Sequence, residues 1–170
     1  NGAGKHTAGL FGITASKVIE RVNTPVIVVP ENFYFRHEIR KIVYATDYHI
    51  SDIAAINKVL KMAAAFNANL TLLHIATTKL SADDEHELMW SFVERVRMRT
   101  GYSNLSFEVL VSDNAGDKLE EYIDNGKADM MVMSTHHRNF FGRLFGKSNT
   151  RKVALETSVP LLVFHDKHYR

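Results

Sequence analysis

The chain has 170 residues, of which 45% are hydrophobic and 24% charged, with a formal net charge of +2. This length and apolar content predict one folded domain with some residues left over. No apolar run approaches the ~18–20 residues that cross a bilayer, so we expect no membrane partner. The absence of cysteine excludes disulfides, thiolate zinc sites and a cysteine nucleophile. Because basic and acidic residues nearly balance, the chain lacks the basic face typical of nucleic-acid-binding proteins, and we expect no nucleic acid partner.

The first 30 residues predict a glycine-rich loop, a helix and a strand. The helix is expected at about residues 14–22, and the strand at residues 26–29 between Pro25 and Pro30. Residues 31–40 follow as a connector. This order resembles the last helix and strand of an α/β domain without its beginning.

Residues 41–166 alternate apolar strands with helices. Continuous apolar runs of four to seven residues are typical of strands buried on both faces. Strands are expected at 41–45, 70–75, 105–111, 130–133 and 161–164. Helices are expected at 51–66, from about 83 to Gly101, around 119–123 before Gly126, and at 151–157. The alternation predicts βαβ units, and therefore a Rossmann-like, doubly wound sheet of five parallel strands.

An internal repeat links the two parts of the chain. Pro25 followed by Val-Ile-Val recurs as Pro160 followed by Leu-Leu-Val, and Lys17-Val18 recurs as Lys152-Val153 at the same offset. The setting of loop, helix, proline and strand is also the same. We therefore interpret residues 1–30 as the end of a preceding copy of the 41–166 domain, which makes the chain part of a tandem protein.

Several short motifs carry a family resemblance. Lys-Ile-Val-Tyr-Ala-Thr-Asp at 41–47 precedes an alanine-rich helix and Leu-Leu-His-Ile at 72–75. Met-Ser-Thr-His-His at 133–137 is followed, after nine residues, by Lys-Ser-Asn-Thr at 147–150, a helix and Pro160. In this order and spacing the motifs resemble the universal stress protein family, and the resemblance covers residues 41–165.

The resemblance implies a role as well as a fold. Members of the family have a Rossmann-like sheet that binds adenine nucleotides, and they act in the cytoplasmic stress response through binding more than through catalysis. The family also implies dimers in which the final strands of two copies pair antiparallel. In this chain that means either a homodimer or an intramolecular pseudo-dimer, in which residues 26–29 pair with residues 161–164.

The resemblance also implies a set of nucleotide-binding residues. Asp47 matches a residue that contacts the nucleoside, Ile75 and Met133 match residues against adenine, and Ser148 and Thr150 match hydroxyls on the phosphates. The residues by themselves do not identify a cofactor. The resemblance implies ATP or AMP, with Mg²⁺ in the case of ATP. The full expected set is Ala45, Thr46, Asp47, Ile75, Met133, Ser134, His136, His137, Lys147, Ser148, Asn149 and Thr150.

The phosphate loop departs from the family pattern. Nucleotide-binding members carry Gly-x-x-Gly, nine residues and a further Gly, but those positions hold Ser134, His137 and Lys147 here. Glycine lets phosphates approach the backbone closely, and a β-carbon obstructs that approach. One interpretation is therefore an impaired phosphate loop. The alternative is an ATP- or AMP-binding switch, in which Lys147, His136 and Arg138 hold the phosphate by charge.

Metal and catalytic chemistry have weaker support in the sequence. The nine histidines include no helical His-x-x-x-His pair, so we expect no metal site. No Ser-His-Asp arrangement with a supporting motif is present, and we expect a protein that is not an enzyme, with weak ATPase activity as the remaining option. Asp47 also has a structural interpretation, as a turn residue after the first strand.

Overall fold

The computed structural model describes residues 18–19, 21–31, 33–34, 38–76, 82–100, 102, 104–135 and 158–165. Within these ranges the chain forms six strands and three helices. The strands are β1 (Val26–Val28), β2 (Lys41–Ala45), β3 (Asn69–Ala76), β4 (Leu105–Val111), β5 (Met130–Ser134) and β6 (Leu161–Phe164). The helices are α1 (Asp52–Phe66), α2 (Ala82–Thr100) and α3 (Ala115–Asp124). The predicted helix at residues 151–157 lies outside the described residues.

One sheet holds all six strands, in the order β1-β6-β5-β2-β3-β4. Strands β2 to β6 are mutually parallel, which confirms the predicted α/β fold with a five-stranded parallel sheet. The chain runs from the central β2 outward to β3 and β4, and then returns to β5 on the other side of β2. The strand order therefore reverses between β2 and β5, and ligands of open α/β sheets bind at the carboxyl ends of strands beside such a reversal.

The antiparallel strand β1 extends the sheet beside β6. The register pairs Val26 with Val163 and Val28 with Leu161. This confirms the predicted pairing of the two strands, although β1 ends one residue before the expected position. Before β1, the backbone N–H of Val22 donates to the Val18 carbonyl at 3.1 Å, in the described part of the expected first helix.

The two faces of the sheet carry separate apolar cores. Successive side chains of a strand point to opposite faces, so neighbouring residues of β2 belong to different cores. One core joins α1 and α2 to the sheet through residues that include Ile42, Tyr44, Ile56, Phe92 and Val96. The other joins α3 to the sheet through residues that include Val43, Ala45, Met133, Leu119 and Ile123. No helix in the described ranges is long and apolar enough to span a membrane.

Local signals set the ends of α3. The Asn114 side chain accepts hydrogen bonds from the backbone N–H groups of Gly116 and Asp117, which is a helix N-cap. After the helix, Gly126 has a φ of +67°, a left-handed conformation that glycine adopts without strain. Gly126 therefore ends the helical path, as the sequence predicts.

A buried carboxylate ties the end of β2 to the start of α1. Asp52 is 0% exposed, and its two oxygens accept hydrogen bonds from the Tyr44 hydroxyl at 2.7 Å and the Thr46 hydroxyl at 2.6 Å. The Thr46 hydroxyl oxygen also accepts from the backbone N–H of Tyr48 at 3.0 Å. Because an unpaired buried charge is costly, these bonds define the conformation of the loop between β2 and α1.

Replacing Tyr44 with phenylalanine tests this tie. The variant Tyr44→Phe removes a donor from a buried charge, and hydrogen bonds to charged groups contribute about 1.5–3 kcal/mol. We expect the free energy of unfolding in urea to fall by about that amount. The comparison variant is Tyr102→Phe, which removes a hydroxyl that donates to the neutral Ala68 carbonyl at 2.8 Å. A neutral bond contributes about 0.5–1.5 kcal/mol, so a larger loss from Tyr102→Phe than from Tyr44→Phe would contradict this account.

Candidate functional site

The loop after β2 presents Asp47 at the carboxyl edge of the sheet. Ala45 and Thr46 are buried, whereas Asp47 is exposed. One Asp47 oxygen accepts from the backbone N–H of His49 at 3.3 Å, which is the turn role expected for an aspartate here. A carboxylate has about four acceptor positions, so the turn and a ligand hydroxyl are compatible.

Tyr48 holds an unusual backbone conformation beside Asp47. Its φ is +64°, in the left-handed region that a bulky side chain rarely adopts. Its ring stacks on His74 with centroids 4.3 Å apart and contacts Phe92 at 5.6 Å. Burial raises the pKa of the Tyr48 hydroxyl, and the nearby Glu85 carboxylate raises that pKa further. Tyr48 therefore remains neutral, and its ring fixes the loop against the sheet.

His74 connects this loop to helix α2. Its Nδ1 atom lies 2.7 Å from the Thr46 carbonyl oxygen, and its Nε2 atom lies 3.3 Å from Oε1 of Glu85. Glu85 is only 7% exposed. The end of β2, the end of β3 and the first turns of α2 are thus joined through one imidazole.

Apolar candidates meet on the opposite face of the same edge. Ala45 pairs with Leu73 of β3, two residues before Ile75, and Tyr44 pairs with Val132 of β5, one residue before Met133. Ala45, Ile75 and Met133 all contribute to the α3-side core. Met133 is 1% exposed, whereas Ile75 is partly exposed.

Ser134 ends β5 at the strand reversal. It is 4% exposed and pairs with Phe164 of β6. The next residue, Thr135, donates its backbone N–H to the Phe164 carbonyl at 2.8 Å. The structure therefore brings the described candidates to three adjacent strand ends. The other expected residues, His136, His137, Lys147, Ser148, Asn149 and Thr150, lie outside the described residues.

Sequence reasoning did not identify the polar groups that position the loop. Glu85 falls on the buried stripe of α2 with Phe92 and Val96, seven and eleven residues later. The sequence therefore contains a signal for Glu85, because a carboxylate on an apolar helical stripe indicates a buried polar group. The burial of Asp52 is harder to predict, because an aspartate at the start of a helix is also typical of an exposed first-turn residue.

No metal site competes with this edge in the described residues. No three His, Asp or Glu side chains in those ranges converge as a metal ion needs. A shallow depression of about 370 Å³ lies on α2, lined by Asp83, His86, Glu87 and Trp90. Its lining comes from one helix and includes none of the candidate residues.

Solved structures of universal stress proteins have a fold similar to that of this chain. A universal stress protein in complex with cAMP is 22% identical, with a TM-score of 0.57, and the match covers 76% of this chain and 98% of that one. A universal stress protein from Archaeoglobus fulgidus in complex with dAMP is 16% identical, with a TM-score of 0.55 and coverages of 77% and 100%. These similarities concern the fold.

A third structure extends the similarity over more of the chain. It is a universal stress protein from Archaeoglobus fulgidus DSM 4304, 11% identical, with a TM-score of 0.65. The match covers 95% of this chain but 58% of that one. No curated protein matches the sequence. The family model for the universal stress proteins matches residues 38–165, which is most of the chain, so this chain belongs to the universal stress protein family.

Proposed function

We propose that this chain is a cytoplasmic stress-response protein that binds the adenosine part of a nucleotide at the carboxyl edge of its sheet. The observation that carries the proposal is the meeting of Asp47, Ile75 and Met133 at the ends of three adjacent strands, beside the strand reversal. The cAMP and dAMP complexes of structural neighbours support this choice of ligand class.

Each described residue then has a role that suits its surroundings. The exposed carboxylate of Asp47 accepts from a ribose hydroxyl, and the partly exposed Ile75 packs on one face of adenine. Met133, at 1% exposure, forms the floor of the site rather than a projecting contact. Apolar walls with a few fixed polar groups are the usual composition of a small-molecule site.

The phosphate half of the site is proposed to be impaired. Ser134 occupies the first position at which the family pattern has glycine, and its side chain is buried at the strand end. His137 and Lys147 occupy the other two positions in the sequence. Side chains at these positions obstruct close approach of phosphates to the backbone. The protein then acts through binding and assembly rather than by turning over ATP.

The proposed assembly places residues 1–30 as the end of a preceding domain, 31–40 as a connector and 41–166 as the nucleotide-binding domain. The antiparallel pairing of β1 with β6 supports an intramolecular pseudo-dimer, with a homodimer as the alternative. In β1, Ile27 is 53% exposed, which is typical of a strand that a further element covers. The similarity to a longer chain over 95% of this one also supports a tandem protein.

Asp47 provides the first test. We expect wild-type protein to gain thermal stability with adenosine, because a ligand that binds only the folded state raises its stability. The variant Asp47→Asn loses a charge-assisted bond, so adenosine affinity should fall about tenfold or more by calorimetry.

The matched control is Asp124→Asn, which makes the same charge change at an exposed position at the end of α3. It lies at the amino edge of the sheet and should leave adenosine affinity unchanged. Equal affinities for wild type and Asp47→Asn would contradict the proposed site.

The phosphate loop provides the second test. With an impaired loop, wild-type protein binds ATP with Mg²⁺ no more tightly than adenosine. The double variant His137→Gly, Lys147→Gly should tighten ATP binding severalfold while leaving adenosine, which lacks phosphates, unchanged.

The opposite result identifies the alternative. If wild-type protein prefers ATP to adenosine and the double variant loses that preference, the loop is adapted rather than impaired, and the chain is an ATP- or AMP-binding switch. Phosphate release above background that Asp47→Asn abolishes would instead indicate an ATPase.

A further inference from the structure

The described sheet ends at β4, a strand whose outer side pairs with no other strand in the described ranges. The strand has seven residues, and no extra residue interrupts its register with β3. Proteins usually protect such an edge with a short strand, a bulge, a proline or a lysine. β4 has none of these, and its one charged side chain, Glu108, bonds to Tyr122 and Lys127.

The backbone groups of alternate β4 residues point away from the sheet. Near the start of the strand, the Leu70 N–H donates to the Asn104 carbonyl at 2.9 Å. After its end, the Ser112 N–H donates to the Ala76 carbonyl at 2.9 Å. Because a parallel ladder uses every second residue of a strand, the even-numbered residues of β4 face β3. The outward N–H and C=O groups, which we call the free edge of β4, belong to Leu105, Phe107, Val109 and Val111.

Apolar side chains and the flank of one helix lie beside this free edge. Leu105 and Phe107 pack against the core on the α1 and α2 side, and Val111 is 62% exposed. On α2, Trp90 is 53% exposed. The Arg97 guanidinium lies 6.0 Å from the ring centre of Trp90 and 5.6 Å from that of Phe107, so this flank of α2 is next to β4. Outward backbone groups beside apolar surface are the usual composition of a site that accepts an added strand.

We infer that two copies of this chain associate through the free edge of β4, in antiparallel orientation, with Phe107 at the two-fold axis. An edge is self-complementary in this orientation, because the outward residues of the two copies exchange N–H to C=O hydrogen bonds. Pairing residues 105–109 of both copies forms about six such bonds. This surface lies apart from the strand ends at which the proposed function places the nucleotide, and it does not depend on that function.

Charge favours this register over its neighbours. Registers that keep the outward groups opposite one another differ by two residues. Placing Glu108 at the axis sets two carboxylates directly opposite each other, which is destabilising. Placing Val109 there sets Glu108 opposite the apolar Leu110. With Phe107 at the axis, each Glu108 instead lies opposite Ser106 of the other copy, and the two Phe107 rings form an aromatic cross-strand pair.

The flank of α2 is compatible with the same two-fold symmetry. Arg97 forms an ion pair with Glu94 at 3.5 Å, so each copy presents a cation and an anion side by side. A surface that contains both charges can face its own copy with opposite charges matched across the axis. This charge pattern, together with the self-complementary backbone, identifies a second copy as the partner.

The variant Val109→Pro tests the pairing while leaving the bonds between β3 and β4 in place. Proline removes an outward N–H and is tolerated in an edge strand, so circular dichroism should show the wild-type fold. In analytical ultracentrifugation, wild-type protein should show a monomer–dimer equilibrium. Each variant copy lacks one donor to the other, so dimer affinity should fall about tenfold or more. Wild-type protein that stays monomeric up to about 1 mM, or a folded variant with unchanged dimer affinity, would overturn the inference.

Lysine substitutions give a second measurement that does not depend on proline. Val111→Lys retains every backbone donor and adds a charge to the free edge, so dimer affinity should fall severalfold. The matched control is Ile27→Lys, at a 53% exposed position of β1 at the other end of the sheet, and it should leave dimer affinity unchanged. A loss in Ile27→Lys without one in Val111→Lys would locate the association at β1 and contradict the proposed surface.

Cysteine cross-linking determines the register, because the chain has no cysteine of its own. In the proposed register, Leu105 of one copy lies opposite Val109 of the other at a Cα separation of about 5.5 Å, which a disulfide spans. A mixture of Leu105→Cys and Val109→Cys chains should therefore form a disulfide-linked dimer on oxidation. In the control mixture, Met98→Cys on the exposed surface of α2 replaces Leu105→Cys. Equal yields of linked dimer from the two mixtures would overturn the inference.

Discussion

The rest of the site depends on the hydrogen bonds that the buried Asp52 carboxylate accepts. The carboxylate has no exposed surface, and it is satisfied by the hydroxyl groups of Tyr44 and Thr46. Because these donors flank the end of β2, the carboxylate fixes the path from the strand into α1. The strained backbone of Tyr48 and the exposed position of Asp47 both follow from that path. Replacing Asp52 would therefore alter the conformation of the binding edge, although Asp52 itself does not contact the ligand.

Topology explains why these residues can act together. The central β2 has β3 on one side and β5 on the other, and the chain reverses direction of winding between them. Residues far apart in sequence, such as Asp47, Ile75 and Met133, consequently meet at one edge. The two sides of that edge differ in chemistry. The α3 side is apolar, whereas the α1 and α2 side contains the buried pair His74 and Glu85.

Much of the fold was accessible from the sequence because its strands are continuous apolar runs. The bounds of β2, β4 and β6 agree with those runs. The pairing of β1 with β6 agrees with the antiparallel pairing of final strands that the family resemblance implies. The buried polar groups were less accessible. The environment of Asp52 depends on hydroxyls from the preceding strand, and that of Glu85 depends on a histidine from β3, so neither is a property of local sequence alone.

The central claim is that adenosine binds at the carboxyl edge of β2, β3 and β5. The most direct measurement is a titration of isotope-labelled protein with adenosine, followed by amide chemical shifts. The account predicts that the largest changes fall at residues 45–48, around Ile75 and at 133–135, with little change at the amino edge around Lys41 and Met130. Saturable changes confined to the amino edge, or none at all, would contradict it.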